Sequence, residues 1–161
     1  LQKTPAFNFA ATMKLTFCPS EKYTGERTGL VVMGMDYAGL ILENTKDGLV
    51  LSQVECKSAD KGKAETVKAS TTLEDGTVWL KAVFSTDATE KKAFADKGDR
   101  VVTCDFLYST DGKKFKKLGQ PFRVREGKWI GAKMGTFCTR PHMVINDGGW
   151  VDVDWFRVTK K

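Results

Sequence analysis

Alternation of apolar and polar positions is the main pattern along this chain. Phe7, Phe9, Ala11, Met13, Leu15 and Phe17 stand at every second position, which predicts a long strand with one buried face. Further strands are predicted at 28–35, 40–43, 49–56, 65–71, 77–84, 101–109, 122–124 and 128–137. Because short strands at near-regular spacing are typical of sheet-on-sheet folds, the pattern predicts an all-β sandwich or barrel.

Turn residues separate these strands. Tight turns are predicted at 36–39, 47–48, 75–76 and 110–113. The segment 87–99 departs from the pattern, because it is rich in Ala, Lys and Glu. Asp87 is predicted to cap a short helix that runs through Ala95, so this segment is expected to be a surface insertion.

The last strand, at 150–158, is the segment around which the others are expected to be organised. A period of two places Asp152, Asp154, Phe156 and Val158 on one face and Val151, Val153, Trp155 and Arg157 on the other. Both faces carry bulky apolar groups, so this strand is predicted to be central and covered on both sides. The preceding turn at 146–149 suits a chain reversal.

Length, composition and charge narrow the class of protein. The chain has 161 residues, of which 41% are hydrophobic, and this suits one domain with a sizeable core. The net charge is +6, but the lysines are scattered through turns, where solvation explains them. No nucleic-acid partner is therefore expected. The longest apolar runs are strand-sized, so no membrane partner is expected either.

Four cysteines stand at positions 18, 56, 104 and 138. Their even number permits disulfides, but none belongs to a CxxC pair, so a metal cage is not expected. Free, buried thiols are the favoured interpretation.

Candidate catalytic residues are sparse. The one histidine, His142, lies in a Pro-His-Met loop, and nothing specific supports a catalytic triad. Acidic residues that could serve glycoside hydrolysis mostly fall in predicted turns, at Asp36, Asp47, Asp75, Asp111 and Asp147. Turn chemistry explains them without catalysis. The residues alone therefore indicate a non-catalytic β-sandwich and leave sugar binding and protein binding both open.

Four segments carry a family resemblance: 25–38, 108–119, 127–137 and 149–158. In this order they resemble segments of the C-terminal domain of family 43 glycoside hydrolases, which are mainly β-xylosidases and α-L-arabinofuranosidases. The resemblance implies a concanavalin A-like jelly-roll sandwich of two antiparallel sheets. It also implies a partner, an upstream catalytic propeller in a larger, secreted or periplasmic enzyme. The expected first strand, which contains Trp in the family, has no match here, and 87–99 is longer than the usual connection.

The resemblance implies an accessory function. The domain would support the catalytic propeller of a xylan-degrading enzyme, and it would bind xylan or arabinoxylan oligosaccharides. One alternative is a free-standing β-sandwich lectin or protein-interaction domain, and a weaker one is a hydrolase in its own right.

Candidate site residues follow from the chemistry of sugar binding. Flat pyranose faces lie on aromatic rings, so a subset of Trp79, Trp129 and Trp155 is predicted to line one face, with core packing as the alternative for each. Asp154 precedes an aromatic-Phe-Arg ending, at a place where many sandwich carbohydrate-binding modules hold a structural calcium ion. Calcium requires about six to eight oxygen ligands, and the alternative for Asp154 is a hydrogen bond to a neighbouring loop.

Overall fold

A computed structural model of the chain describes residues 1–4, 8–91, 100–127, 131–140 and 148–160. Within these residues no helix has the length and apolarity needed to cross a membrane. The elements are β1 (Gln2–Lys3), β2 (Phe9–Cys18), β3 (Arg27–Met33), β4 (Tyr37–Thr45), β5 (Gly48–Cys56), a 3₁₀ helix (Ala59–Lys61), β6 (Thr66–Leu73), β7 (Thr77–Lys91), β8 (Arg100–Ser109), β9 (Lys116–Lys117), β10 (Phe122–Val124), β11 (Lys133–Thr139) and β12 (Trp150–Lys160).

The strands form two antiparallel sheets. The first sheet has the order β1-β11-β3-β4-β5-β6, and the second has the order β10-β8-β7-β2-β12, with β9 beside β8. This arrangement confirms the predicted all-β sandwich. The predicted turns at 75–76 and 110–113 lie where they were expected. The turn predicted at 47–48 lies one residue earlier, at 46–47, because Gly48 already pairs with Thr45 and begins β5.

The core lies between the sheets and follows the predicted alternation. In β2, the side chains of residues 9, 11, 13, 15 and 17 are all buried, which confirms the interpretation of this strand, although Phe7 lies outside the described residues. The ring of Phe9 stacks on that of Phe84 with 4.2 Å between centroids. Such stacking adds to the stabilisation from burying the two rings.

The last strand does not have the predicted central position. Over the described residues, β12 pairs with β2 alone and lies at the edge of the second sheet. The predicted division of its faces is also wrong, because a β-bulge between Val153 and Trp155 shifts the alternation by one residue. Val151, Val153, Phe156 and Val158 consequently lie opposite the core-facing residues of β2, while Trp150, Asp152, Trp155 and Arg157 lie opposite its outward-facing residues.

The first tight turn lies earlier than predicted. It spans 34–36, and residues 37–39, which were assigned to the turn, instead begin β4 and pair with β3. The buried carboxylate of Asp36 explains the difference. It accepts hydrogen bonds from the Ser58 amide at 2.7 Å and from Arg125 at 3.1 Å, so the turn is fixed by residues distant in sequence.

The helix predicted after Asp87 is also wrong over residues 87–91, which the structure describes. Strand β7 continues through Asp87 to Lys91, because it pairs with β8 up to the register Asp87↔Val101 and again at Lys91↔Arg100. Pairing along the ladder outweighs the local helical preference here. Residues 92–99 lie outside the described part of the chain. The long strand predicted at 128–137 is described from residue 131, and β11 begins at Lys133.

All four cysteines carry free thiols, as predicted. Cys56 and Cys104 are buried, whereas Cys18 is partly buried and Cys138 is exposed, so the predicted burial holds for two of them. Burial raises the pKa of the Cys104 thiol well above its ordinary value, and the neighbouring Asp105 raises it further. Cys104 is therefore a neutral core residue.

Candidate functional site

Two of the three predicted tryptophans lie in one row on the outer face of the second sheet. Trp155 of β12 is directly opposite Lys14 of β2, which is directly opposite Trp79 of β7. Residues paired in this way point to the same side of a sheet. Lys14 stands between the buried Met13 and Leu15, so the row points away from the core. We call this surface the tryptophan face.

Cations hold both rings of the tryptophan face. The Lys14 ammonium lies 5.3 Å from the centroid of the Trp79 ring, and the Arg157 guanidinium lies 4.5 Å from that of Trp155. Such contacts stabilise a ring orientation by about 0.5–1 kcal/mol at exposed sites. Trp79 also packs against the turn at Gly112, where an added Cβ would lie 2.7 Å from the indole. Trp79 thus secures the 110–113 turn on the sheet.

Trp150 extends the tryptophan face, although the alternation rule did not select it. It begins β12 opposite Cys18, on the outer side, and is 60% exposed. Its ring therefore adds exposed apolar surface to the same face as Trp79 and Trp155. A fixed period of two puts Trp150 and Trp155 on opposite faces, so only knowledge of the bulge would have placed them together. The third predicted tryptophan, Trp129, lies outside the described residues.

Asp154 stands at the bulge of β12. Its carboxylate forms an ion pair with the Lys14 ammonium, and its side chain is 40% exposed. The described residues contain no group of three or more His, Cys, Asp or Glu side chains placed to hold a metal ion. Residues 141–147 lie outside the described part of the chain, and calcium at Asp154 stays a prediction.

A buried carboxylate positions the start of β12. Glu26 accepts a hydrogen bond from the Gly149 amide at 2.8 Å and another from the Ser20 amide at 2.6 Å, and the Arg140 guanidinium lies 3.9 Å away. Gly149 immediately precedes Trp150, so Glu26 connects the tryptophan face to β3. Nothing in the sequence pattern distinguished this glutamate from the charged residues of loops.

A cleft of about 530 Å³ opens between the two sheets, near the ends of β6 and β8. Its inner wall includes Leu73 and Tyr108, which also pack on the core, and its rim includes Asp75 and Asp111 of two turns. We call it the inter-sheet cleft. Sequence reasoning missed it, because its two walls come from segments more than thirty residues apart in different sheets.

The Asp111 carboxylate organises the turn at the rim of this cleft. It accepts hydrogen bonds of 2.8 Å from the amides of Lys113 and Lys114 and from the Ser109 hydroxyl. The amides of Lys114 and Lys113 lower the pKa of Asp111 most, with a further contribution from the Ser109 hydroxyl, to about 2. The carboxylate is therefore ionised wherever the protein is folded at ordinary pH.

This pKa predicts an acid-dependent loss of stability. The folded-state pKa of about 2 lies below the usual 3.8, so the ionised carboxylate stabilises the fold above about pH 4, and the contribution is lost as the pH falls toward 2. The stability advantage of the wild type over Asp111→Asn should therefore shrink across this window. Urea unfolding at pH 7, 4, 3 and 2 measures it, and an advantage that stays constant with pH would contradict the assignment.

Comparison with known proteins gives one family and several relatives. The family described as the β-xylosidase C-terminal concanavalin A-like domain matches residues 1–159. A β-xylosidase of Formosa agariphila is 45% identical over 51 residues, which are 32% of this chain and 8% of that protein.

Solved structures resemble the whole chain. A family 43 glycoside hydrolase protein of Bacillus licheniformis has a TM-score of 0.68 at 22% identity, and the match covers 98% of this chain and 28% of that one. A bifunctional family 43 protein of Bacteroides eggerthii has a TM-score of 0.74 at 18% identity, with coverages of 99% and 18%. These identities show the fold alone, and the chain spans less than a third of the length of each of these relatives.

Proposed function

The chain belongs to the family of C-terminal concanavalin A-like domains of β-xylosidases, and from this premise we propose that it is a non-catalytic accessory domain of a family 43 glycoside hydrolase. In the parent enzyme it supports an upstream catalytic propeller and holds xylan or arabinoxylan on its tryptophan face. The parent enzyme acts outside the cytoplasm, where polymeric xylan is found. The observation that carries the proposal is the row of Trp79, Lys14 and Trp155, extended by the exposed Trp150.

The chemistry of the tryptophan face suits a neutral polysaccharide. Aromatic rings offer flat apolar surface to the C–H faces of a pyranose, and nearby polar groups orient its hydroxyls. Here Lys14 and Asp154 neutralise one another, so the face can donate and accept hydrogen bonds without strongly attracting ions. Trp79 and Trp155 are two strand spacings apart, roughly 10 Å, which gives an extended chain more than one contact.

The states of Asp154 and Asp111 are in keeping with a non-catalytic role. Glycoside hydrolysis requires two carboxyl groups across the scissile bond, one of them protonated. Asp154 is engaged with Lys14, and Asp111, with a pKa of about 2, cannot serve as the general acid. We expect the chain alone to release no 4-nitrophenol from 4-nitrophenyl β-xyloside, and release that persists after repeated purification would contradict the proposal.

Replacing Trp155 by alanine is expected to weaken xylan binding about tenfold, because the ring supplies stacking surface worth roughly one pyranose contact. Retardation of the chain in gels that contain soluble xylan measures this affinity. Val67→Ala is the control, since Val67 is an exposed apolar residue that belongs to the first sheet. Unchanged retardation of the Trp155→Ala variant would show that the tryptophan face does not bind xylan.

A further inference from the structure

We propose that the inter-sheet cleft is a second glycan-binding site, which takes a neutral oligosaccharide. The cleft lies beside β6, β8 and β9, on the inner side of the second sheet. Trp150 and Trp155 lie on β12, and Trp79 contacts the 110–113 turn from the outer side of the sheet. Strands β7 and β2 separate β8 from β12 in the second sheet. The inference therefore goes beyond the proposed function, and only the use of a xylan fragment as one of the probes rests on that function.

Some of the polar side chains that line the cleft form hydrogen bonds within the fold. The Asp75 carboxylate accepts the Thr77 amide at 2.7 Å and closes the turn between β6 and β7. Asp111 is held in the same way by the turn after β8, and the Ser109 hydroxyl donates to it. The Thr77 hydroxyl lies 3.2 Å from that of Thr16. These groups are already hydrogen-bonded within the fold, and they shape the cleft.

Other polar side chains of the lining are not hydrogen-bonded to the residues that the structure describes. Within the described part of the chain, the side chains of Thr71, Glu74, Tyr108 and Lys116 form no hydrogen bond or ion pair with one another or with other residues. They comprise two hydroxyls, a carboxylate and an ammonium group. The partly buried ring of Tyr108 and the side chain of Leu73 add apolar surface at the inner wall. Donors, acceptors and a ring in one concavity are the groups that recognise a sugar.

The charges of the cleft disfavour an anionic ligand. Three carboxylates, of Glu74, Asp75 and Asp111, outnumber the two lysines, Lys114 and Lys116. An anionic ligand such as a uronate or phosphate would meet net repulsion there. The volume of about 530 Å³ is within the range of small-molecule sites, roughly 300–1,000 Å³. Together these properties indicate a short neutral glycan.

Titration of the ¹⁵N-labelled 161-residue chain with xylohexaose, cellohexaose and trigalacturonate tests this inference, with amide shifts as the readout. We expect a neutral hexaose to shift amides in 71–77 and 108–116, and we expect the same shifts in Trp155→Ala. The double variant Glu74→Gln/Tyr108→Phe keeps the shape of the cleft but removes a charge and a hydroxyl. It should weaken binding there at least tenfold while it leaves any shifts of β12 in place.

The possible outcomes separate the two sites. Cleft shifts that survive Trp155→Ala and weaken in the double variant support the inference, even if β12 is unaffected. Amide shifts confined to β12, β2 and β7 overturn the inference and leave the proposed function standing. The inference is also overturned by cleft shifts that the double variant does not weaken, by tighter binding of trigalacturonate, or by the absence of shifts with both neutral sugars.

Discussion

Replacing Glu26 by alanine is expected to lower the free energy of unfolding by about 3–5 kcal/mol, the range for breaking a buried, hydrogen-bonded charge interaction. The Glu26 side chain is almost fully buried and accepts the amides of Ser20 and Gly149. Its removal leaves both amides without their acceptor. It also leaves the largely buried guanidinium of Arg140 without the carboxylate 3.9 Å away.

Glu43→Ala is the matched control for this substitution. Glu43 pairs with Arg27 at 3.4 Å but is 41% exposed, so its loss should cost less than about 1 kcal/mol. Urea denaturation at pH 7 measures both variants. Equal losses in the two variants would show that Glu26 does not anchor the start of β12. The variant Glu26→Gln should also be destabilised, because its NH₂ group would face one of the two amide donors.

Replacing Gly29 by alanine is expected to destabilise the fold by about 4 kcal/mol, a size that few single substitutions reach. A Cβ at this position would lie 2.0 Å from the carbonyl oxygen of Leu40 in the neighbouring strand. Both partners are backbone of the central strands β3 and β4, so neither can rotate away. The sheet would have to separate locally, with loss of ladder hydrogen bonds and of packing beneath Leu30.

Gly48→Ala isolates the steric contribution. Gly48 also has a positive φ, 116°, but a Cβ there would meet nothing within 4 Å. This control should lose only the roughly 1 kcal/mol that a residue other than glycine loses in this conformation. Thermal or urea unfolding of the two variants gives the comparison, and a Gly29 variant no less stable than the Gly48 variant would contradict the close approach of β3 and β4.

Sequence alone predicted much of this fold. The alternation in β2 and the Asp-Gly turn at 75–76 are local features with a direct physical cause, and the structure confirms them. The hairpin turn before β5 is also present, but it lies one residue earlier than predicted, at 46–47. The family resemblance added the concanavalin A-like architecture, which residue patterns had left open between sandwich and barrel.

The sequence-based predictions of secondary structure were wrong where contacts with distant residues override the local sequence pattern. The bulge at Asp154 inverts the faces of β12 after Val153, and a period of two has no means to detect it. The local sequence predicts Asp87 to be a helix cap, but Asp87 pairs with Val101 and extends β7. The edge position of β12 was also not predicted. Val151 and Phe156 lie on the core side and Trp155 lies on the outer side, so both faces carry bulky apolar groups, as they do in a central strand.

The candidate site was predictable only in part. Sugar chemistry selected Trp79 and Trp155, but their placement in one row depends on the registers of three strands that the sequence does not reveal. Trp150 was missed for the same reason. The inter-sheet cleft depends on the meeting of β6 with β8 across the sandwich, and hydroxyl-rich strand ends such as Thr71 carry no distinctive motif.

The most direct test of the central claim is affinity electrophoresis of the chain on xylan, arabinoxylan and an unrelated α-glucan. We predict retardation on the two xylans and none on the α-glucan, because the tryptophan face presents rings and hydrogen-bonding groups along an extended surface. Retardation on none of the three polysaccharides, or equal retardation on all three, would contradict the claim that this domain holds xylan.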